Sequence, residues 1–371
     1  MIVVFNVIFY AFIAVVCVQI YYYTVVFGRF SALKTKKAAF KTPPVSVIVC
    51  AKNEADNLKR NIPFLLSQEY PEFELILIND NSSDHTLKVM TGFQKLHENI
   101  KIVNVKPVEA FWGNKKYALT LGIKAATHET LLFTDADCSP NSSHWIAEMC
   151  VQFDQERLLV LGYGAYEKIK RSFLNRLIRF ETFFTAVQYF SYATTGNAYM
   201  GVGRNLAYKR SLFFEANGFI GHIQVKSGDD DLFVNQVATK LNTAICVSEH
   251  AFTSSKPKTD FKSWILQKRR HVSTASHYKT KHKLMLGLFY VSQILFWILG
   301  TTVLILMLHW EIAVALIALR FAIQYMVLFA AAKKLNEKDL IFLLPVLEVF
   351  LFSAQMVIFI QNLISKPKYW K

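Results

Sequence analysis

The sequence predicts a mixed, mostly parallel α/β domain flanked by transmembrane α-helices. Three observations carry this. Strand-like and helix-like runs alternate through the middle of the chain, long apolar runs lie at both ends, and polar residues fall where the strand-like runs end. Such alternation builds a mostly parallel sheet, and sheets of that kind bind ligands beyond the carboxyl ends of their strands.

The elements follow in order. Met1 to Gly28 contains no charged residue. It lacks a basic start and a small-residue cleavage site, so it reads as a retained anchor, not a signal peptide. Val45 to Cys50 is a β-branched run entered through Pro43-Pro44, and Glu54 to Ser67 suits a helix. Phe73 to Asn79 is a second strand, with a helix from Thr86. Ile100 to Val105, Lys115 to Ala126 and Thr130 to Phe133 continue the alternation. Three apolar segments close the chain at 284–308, 312–332 and 340–364, the second carrying Arg320 and the third Glu348 and Pro345. All are long enough to cross a bilayer, which takes about 20 residues. The two charges face each other, a polar cavity, or the interface by snorkelling. Residues 1–28, 44–283 and 284–364 are thus expected as an N-terminal membrane helix, a catalytic domain and three C-terminal membrane helices.

Composition narrows the function. Of 371 residues, 53% are hydrophobic and 19% charged, too apolar for a disordered chain and unlike an ordinary soluble enzyme. The net charge of +15 suits nucleic acid, an anionic membrane or an anionic substrate. Its position decides: six Lys/Arg and no acid lie between Arg29 and Asn53, and nine against Asp260 alone between Lys256 and Lys283. Both stretches adjoin membrane segments, a positive-inside pattern that puts the domain in the cytoplasm and the N-terminus outside. Nucleic acid is excluded as a partner because the rest of the domain is near neutral. Lys366, Lys368 and Lys371 break the pattern if all four segments span; a re-entrant or interfacial fourth segment restores it. Cys17, Cys50, Cys138, Cys150 and Cys246 form no CxxC pair, so they read as reduced packing residues.

Three clusters carry chemistry. Leu131-Leu132-Phe133-Thr134-Asp135-Ala136-Asp137-Cys138 delivers two carboxylates from an apolar strand into a turn. Hard oxygen ligands suit Mg2+ or Mn2+, although an ordinary acidic turn has the same pattern. Ser227-Gly228-Asp229-Asp230-Asp231-Leu232 sets three acids side by side. Their repulsion calls for a helix N-terminus, a cation or a raised pKa, and one of them suits a general base. Gln267-Lys268-Arg269-Arg270-His271 offers cations to a diphosphate or to lipid headgroups. Ser172 to Tyr192, rich in Phe and Tyr, reads as an interfacial helix or a buried one. Gly203-Arg204-Asn205 after it reads as acceptor contacts or as a tight turn.

Taken in order, Val47-Ile48-Val49-Cys50-Ala51-Lys52-Asn53-Glu54, Asn79-Asp80-Asn81-Ser82-Ser83-Asp84, Asp135-Ala136-Asp137, Asp229-Asp230-Asp231 and Gln267-x-x-Arg270 resemble a membrane-bound family 2 glycosyltransferase of the processive type. The resemblance covers about residues 44 to 275. It implies a GT-A fold, a Rossmann-like mixed sheet, and inverting transfer from a UDP- or GDP-sugar with Mg2+ or Mn2+. Carried over by position, Ala51, Asn53 and Glu54 line the base and ribose pocket, Asp80 meets the base, and Lys115 in Lys-x-x-Ala-Leu approaches the diphosphate. Asp135 touches ribose or metal and Asp137 holds the metal. One of Asp229, Asp230 and Asp231, Asp230 first, is the base. Gln267, Arg269, Arg270 and His271 surround the leaving diphosphate. His271 stands where the family usually has Trp, and three adjacent Asp replace Glu-Asp-x-Asp.

The expected function is sugar transfer to a lipid, lipid-linked or glycan acceptor at the cytoplasmic face of a bacterial inner or plasma membrane. A processive polysaccharide synthase and a polyprenyl-phosphate sugar transferase are enzyme alternatives; an inactive nucleotide-sugar-binding scaffold is the non-enzyme one. The sequence specifies neither the sugar nor the oligomeric state.

Overall fold

A computed structural model describes residues 2–34, 42–106 and 115–365; Tyr369, Trp370 and the three C-terminal lysines lie outside these. The chain opens on α1 (Ile2–Tyr21), which continues through a π-helical stretch, Tyr22–Phe27, into α2 (Gly28–Ala32). The apolar helix therefore runs past Gly28, with Tyr22, Tyr23 and Phe27 buried around Phe289.

The domain follows as β1 (Val45–Ala51), α3 (Ala55–Leu66), β2 (Phe73–Asp80), α4 (Thr86–Gln94), β3 (Ile100–Val105), α5 (Lys115–Ala125), β4 (Thr130–Asp135), β5 (Cys138–Pro140), α6 (Trp145–Cys150), β6 (Leu159–Leu161), β7 (Gly164–Tyr166), α7 (Phe173–Thr194), β8 (Leu206–Lys209), α8 (Arg210–Glu215), α9 (Asp231–Val237), β9 (Thr243–Ile245), β10 (Thr253–Ser255) and α10 (Phe261–Val272). A seven-stranded sheet has the order β3-β2-β1-β4-β8-β6-β9, and β5-β10-β7 form a small second sheet. Strands β1 to β4 are parallel, and β1, β2 and β4 are buried on both faces, as continuous runs such as Val47-Ile48-Val49 require; β3, at the edge, is partly exposed. The architecture is the GT-A arrangement expected from the sequence.

Strand β8 runs antiparallel to both β4 and β6. Its register, Phe133 opposite Leu206, continues to set Arg204 beside Asp135. Thr134 Oγ1 donates to the Arg204 carbonyl at 3.0 Å. The antiparallel insertion thus brings residues 203 and 204 to the carboxyl end of β4.

Helix α7 is the buried alternative, not a surface helix. Phe184 meets Phe27 and Phe289, and Tyr189 donates to the Gly162 carbonyl at 2.8 Å. It is packed between the sheet and the apolar helices α11 (Thr280–Ile305), α12 (Trp310–Lys334) and α13 (Leu344–Ile364). Among the described residues, four helical stretches, Val3–Ala32, Thr280–Ile305, Trp310–Lys334 and Lys338–Ile364, are long and apolar enough to cross a membrane.

Arg320 and Glu348 face each other inside this bundle. Arg320 Nη2 donates to Glu348 Oε1 at 2.5 Å and Gln19 Oε1 at 3.0 Å, and Nη1 to Gln324 Oε1 at 2.6 Å. Gln293 Nε2 reaches Glu348 at 2.8 Å. Four segments thus share one buried ion pair, and removing one partner strands the other charge. Glu348→Ala is expected to cost about 3–5 kcal/mol, whereas Arg320→Met combined with Glu348→Leu is expected to be near neutral. Thermal unfolding in detergent distinguishes them.

Candidate active site

The first wall of the site is built by two loops that lock together. Asn53 (φ 56°) and Asn81 (φ 48°) both take the left-handed conformation that Asn tolerates. The Asn53 N–H donates to Ser82 Oγ at 3.0 Å, and its Oδ1 accepts from the Ser83 N–H at 2.8 Å. Glu54 N–H donates to Thr86 Oγ1 at 2.8 Å, joining the start of α3 to the start of α4. Asp80, at the end of β2, is buried, and its Oδ2 has no hydrogen-bond partner within the described residues. Burial pushes its carboxyl up, against the pull of Lys52 and Lys115. A buried acceptor with no donor is suited to a ligand N–H. Ala51 differs: its side chain packs in the core with Leu58 and Leu77, so only its backbone faces the loops.

Lys115 joins the second wall to the third. From the first turn of α5 its Nζ lies 3.0 Å from Asp135 and 2.9 Å from Asp229. Asp135, Asp229, Asp230 and Gly203 line one pocket floored by Cys50, Phe133 and Tyr208.

The three adjacent acids point three ways. Gly228 (φ 91°) turns the chain into α9, where a side chain would strike Leu232. Asp229 faces Lys115. Asp230 caps α9, accepting from the Asp231 N–H at 2.8 Å with Oδ1 and from the Gly203 N–H at 2.6 Å with Oδ2. Asp231 accepts from Tyr278 OH at 2.7 Å, from Thr274 Oγ1 and from the Leu232 N–H at 2.7 Å, which turns it away from the pocket. Burial and the two neighbouring carboxylates push Asp230 up to about 7. A carboxyl poised there is matched to proton transfer at neutral pH.

Asp135, Asp137 and Cys138 offer ligand atoms within 4.8 Å of one another. Burial, then Asp137, pushes the Cys138 thiol well up, and its S–H donates to Asp137 Oδ1 at 3.4 Å. The thiol is therefore a poor ligand, whereas the two carboxylates fit a hard divalent cation completed by phosphate oxygens.

The basic helix divides its residues between two tasks. Gln267 Nε2 lies 3.5 Å from Tyr166 OH, and the Tyr166 ring carries the Arg204 guanidinium 4.5 Å from its centroid. Arg204, whose Nη1 donates to the Ala165 carbonyl at 3.1 Å, lies in the field of Asp135 and Asp137. Burial, then the neighbouring cations Lys268, Arg270, Arg204 and Lys115, holds the His271 imidazole well below its usual range. Arg269 does not join them: it donates to Asn362 Oδ1 at 3.0 Å, the Gln361 carbonyl at 3.1 Å and Ser365. Asn205, expected at the acceptor, is fully buried. Its Oδ1 accepts from Trp145 Nε1 at 3.0 Å, and its Nδ2 donates to the Tyr163 and Ala251 carbonyls.

Three supporting residues carry no motif in the sequence. Thr274 and Tyr278 hold Asp231, and Lys116 Nζ donates to the His222 and Val225 carbonyls at 2.7 and 3.0 Å, fixing the loop before the acids. They lie in segments dominated by positive charge or next to Lys115, so no acid or spacing marked them.

Residues 46–215 match the family model described as glycosyl transferase family 2. The chain is 33% identical over 120 residues to a poly-beta-1,6-N-acetyl-D-glucosamine synthase of Staphylococcus epidermidis, covering 32% of this chain and 28% of that protein. It is 30% identical over 106 residues to the glycosyltransferase AglE of Haloferax volcanii, covering 28% and 33%. The chain therefore matches about a third of the length of these relatives or less. The mannosyltransferase PcManGT of Pyrobaculum calidifontis, solved in complex with GDP-Man and Mn2+, shares the fold with a TM-score of 0.59 at 20% identity, over 90% of this chain and 99% of that one.

Two substitutions separate scaffold from pocket. Asn205→Ala strands an indole N–H and two carbonyls and is expected to lower stability by about 3 kcal/mol, read as a lower melting temperature. Arg269→Ala is expected to lower the melting temperature while leaving nucleotide affinity within about twofold, measured by calorimetric titration.

Proposed function

Because the chain belongs to the family 2 glycosyltransferases over residues 46–215, we propose that its pocket transfers a sugar, with inversion, from a UDP- or GDP-sugar to a hydroxyl of a lipid, lipid-linked or glycan acceptor. The observation that carries this is Asp230, poised near neutrality 2.6 Å from the Gly203 N–H, in the same pocket as Lys115 and Asp135. Asp80 Oδ2 receives an N–H of the base. Asp135 and Asp137 would hold a Mg2+ or Mn2+ ion, which supplies charge neutralisation to the diphosphate. Lys115, Gln267 and Arg270 hold the diphosphate oxygens, with His271 at the rim.

Asp230 takes the proton of the acceptor hydroxyl as its oxygen bonds to the anomeric carbon. The bond from that carbon to the phosphate oxygen breaks on the opposite face, and its electron pair leaves with the nucleoside diphosphate. Asp229 keeps Lys115 aimed into the pocket, and Arg204 orients the acceptor side.

The basic stretches beside the apolar helices support a cytoplasmic orientation of the domain at a bacterial inner or plasma membrane. A second reading, repeated transfer to make a polymer, is favoured by the name of the staphylococcal relative. Product length separates the two.

The test uses detergent-purified protein, lipid extract as acceptor, Mn2+ and a panel of UDP- and GDP-sugars. Asp230→Asn is expected to lower turnover by about 10²–10⁴ with donor affinity retained. Wild-type kcat/KM is expected to rise with pH through about 7, because the carboxylate, not the acid, accepts the proton. A flat profile from pH 5.5 to 8.5, or full activity in Asp230→Asn, would remove Asp230 from the role of base.

A further inference from the structure

Both ends of α13 meet the same side of the protein. On the connection that leads from α12 into α13, Glu337 and Asp339 accept from Arg179 of α7, and Lys168 also reaches Asp339 at 3.3 Å. Phe350, in the second turn, packs edge-on against Phe173, the first residue of α7, with ring centroids 5.0 Å apart. At the far end, Arg269 of α10 binds Asn362, Gln361 and Ser365, and Asn362 Nδ2 returns a bond to the Arg269 carbonyl at 3.1 Å. Both α7 and α10 belong to the α/β domain.

A helix of 21 residues is about 31 Å long, close to the thickness of the hydrocarbon layer. Standing upright it would carry Asn362 to the face opposite the domain. The other apolar helices do have one end at the domain and one away from it. Lys334, ending α12, reaches the Leu33 carbonyl just after α2, and Tyr278, just before α11, binds Asp231. The connection of α11 to α12 through Leu306 to His309 lies at the opposite ends of those helices.

We propose that α13 does not cross the membrane but lies obliquely in the leaflet on the domain side, with the lipid of that leaflet as its partner. The proposal is independent of the sugar-transfer reading. Val346, Val357, Phe359, Ile360 and Leu363 form an exposed apolar surface on α13, continuous with the bundle that the other three helices carry through the bilayer. The segment Lys256–Lys283 that α13 lies against holds nine Lys/Arg, which complements anionic headgroups. Three crossings also agree with the positive-inside pattern of the sequence, which four crossings break.

The test is made on the full chain in membrane vesicles of one orientation, with separate epitope tags at the N-terminus and after Lys371. Protease added from the side of the domain is expected to remove the C-terminal tag and to spare the N-terminal one. Digestion of the C-terminal tag only from the side of the N-terminal tag overturns the proposal. In reconstituted protein, nitroxides at Val346 and Leu363 are expected in the same leaflet by depth-dependent relaxation. Labels in opposite leaflets, about 25 Å apart along an upright helix, overturn it as well.

Discussion

Lys115 is the charge on which the site depends. Its ammonium lies between Asp135, at the end of a parallel strand, and Asp229, in the loop before α9. Without a cation there, these carboxylates and Asp230 would share a partly buried pocket at a cost that folding does not readily offset. Burial opposes the charge on Lys115, but Asp135 and Asp229 outweigh that and hold it protonated. One lysine thus fastens the nucleotide side of the domain to the loop bearing the candidate base. The acidic surplus that remains is the electrostatic reason that Asp135 and Asp137 fit a divalent cation.

The pocket is also tied to the membrane. Helix α7 is buried between the sheet and the apolar bundle, its Arg179 bonded to Glu337 and Asp339 on the connection between α12 and α13. Helix α10 is held on one side by Lys268 to Glu181 of α7 and on the other by Arg269 to the end of α13. Its register therefore sets Gln267 beside Tyr166 while Arg269 faces the end of α13. Three neighbouring cations have separate tasks because consecutive helical residues point about 100° apart.

The parts of the fold that were legible are those with long, strongly patterned segments. Val45–Ala51, Phe73–Asp80 and Thr130–Asp135 are continuous apolar strands, and their polar ends mark the ligand side of the sheet without any tertiary information. Strands β6, β8 and β9 are three or four residues long, too short for periodicity to register. The antiparallel turn of β8, which delivers Gly203 and Arg204, was therefore invisible. For the same reason Asn205 read as a site residue when it is a buried clamp on Trp145. Arg269 read as part of a cationic cluster because charge in a sequence carries no direction.

The triple Asp shows how such a conflict is settled physically. Three adjacent carboxylates on an extended chain would repel one another at close range. Placed at the start of a helix, they diverge and find different donors: Lys115 for Asp229, two backbone N–H groups for Asp230, and Tyr278, Thr274 and the Leu232 N–H for Asp231. Only Asp230 lacks a cation or hydroxyl of its own; burial, then its two neighbours, raise it to about 7, and burial raises Asp231 as well. Its poise therefore depends on the two neighbouring carboxyls staying where their partners hold them. Because Tyr278 stands two residues before α11, Asp231 links that balance to the start of the apolar bundle. A displacement of α11 at its domain end would loosen Asp231 first and shift Asp230 through it.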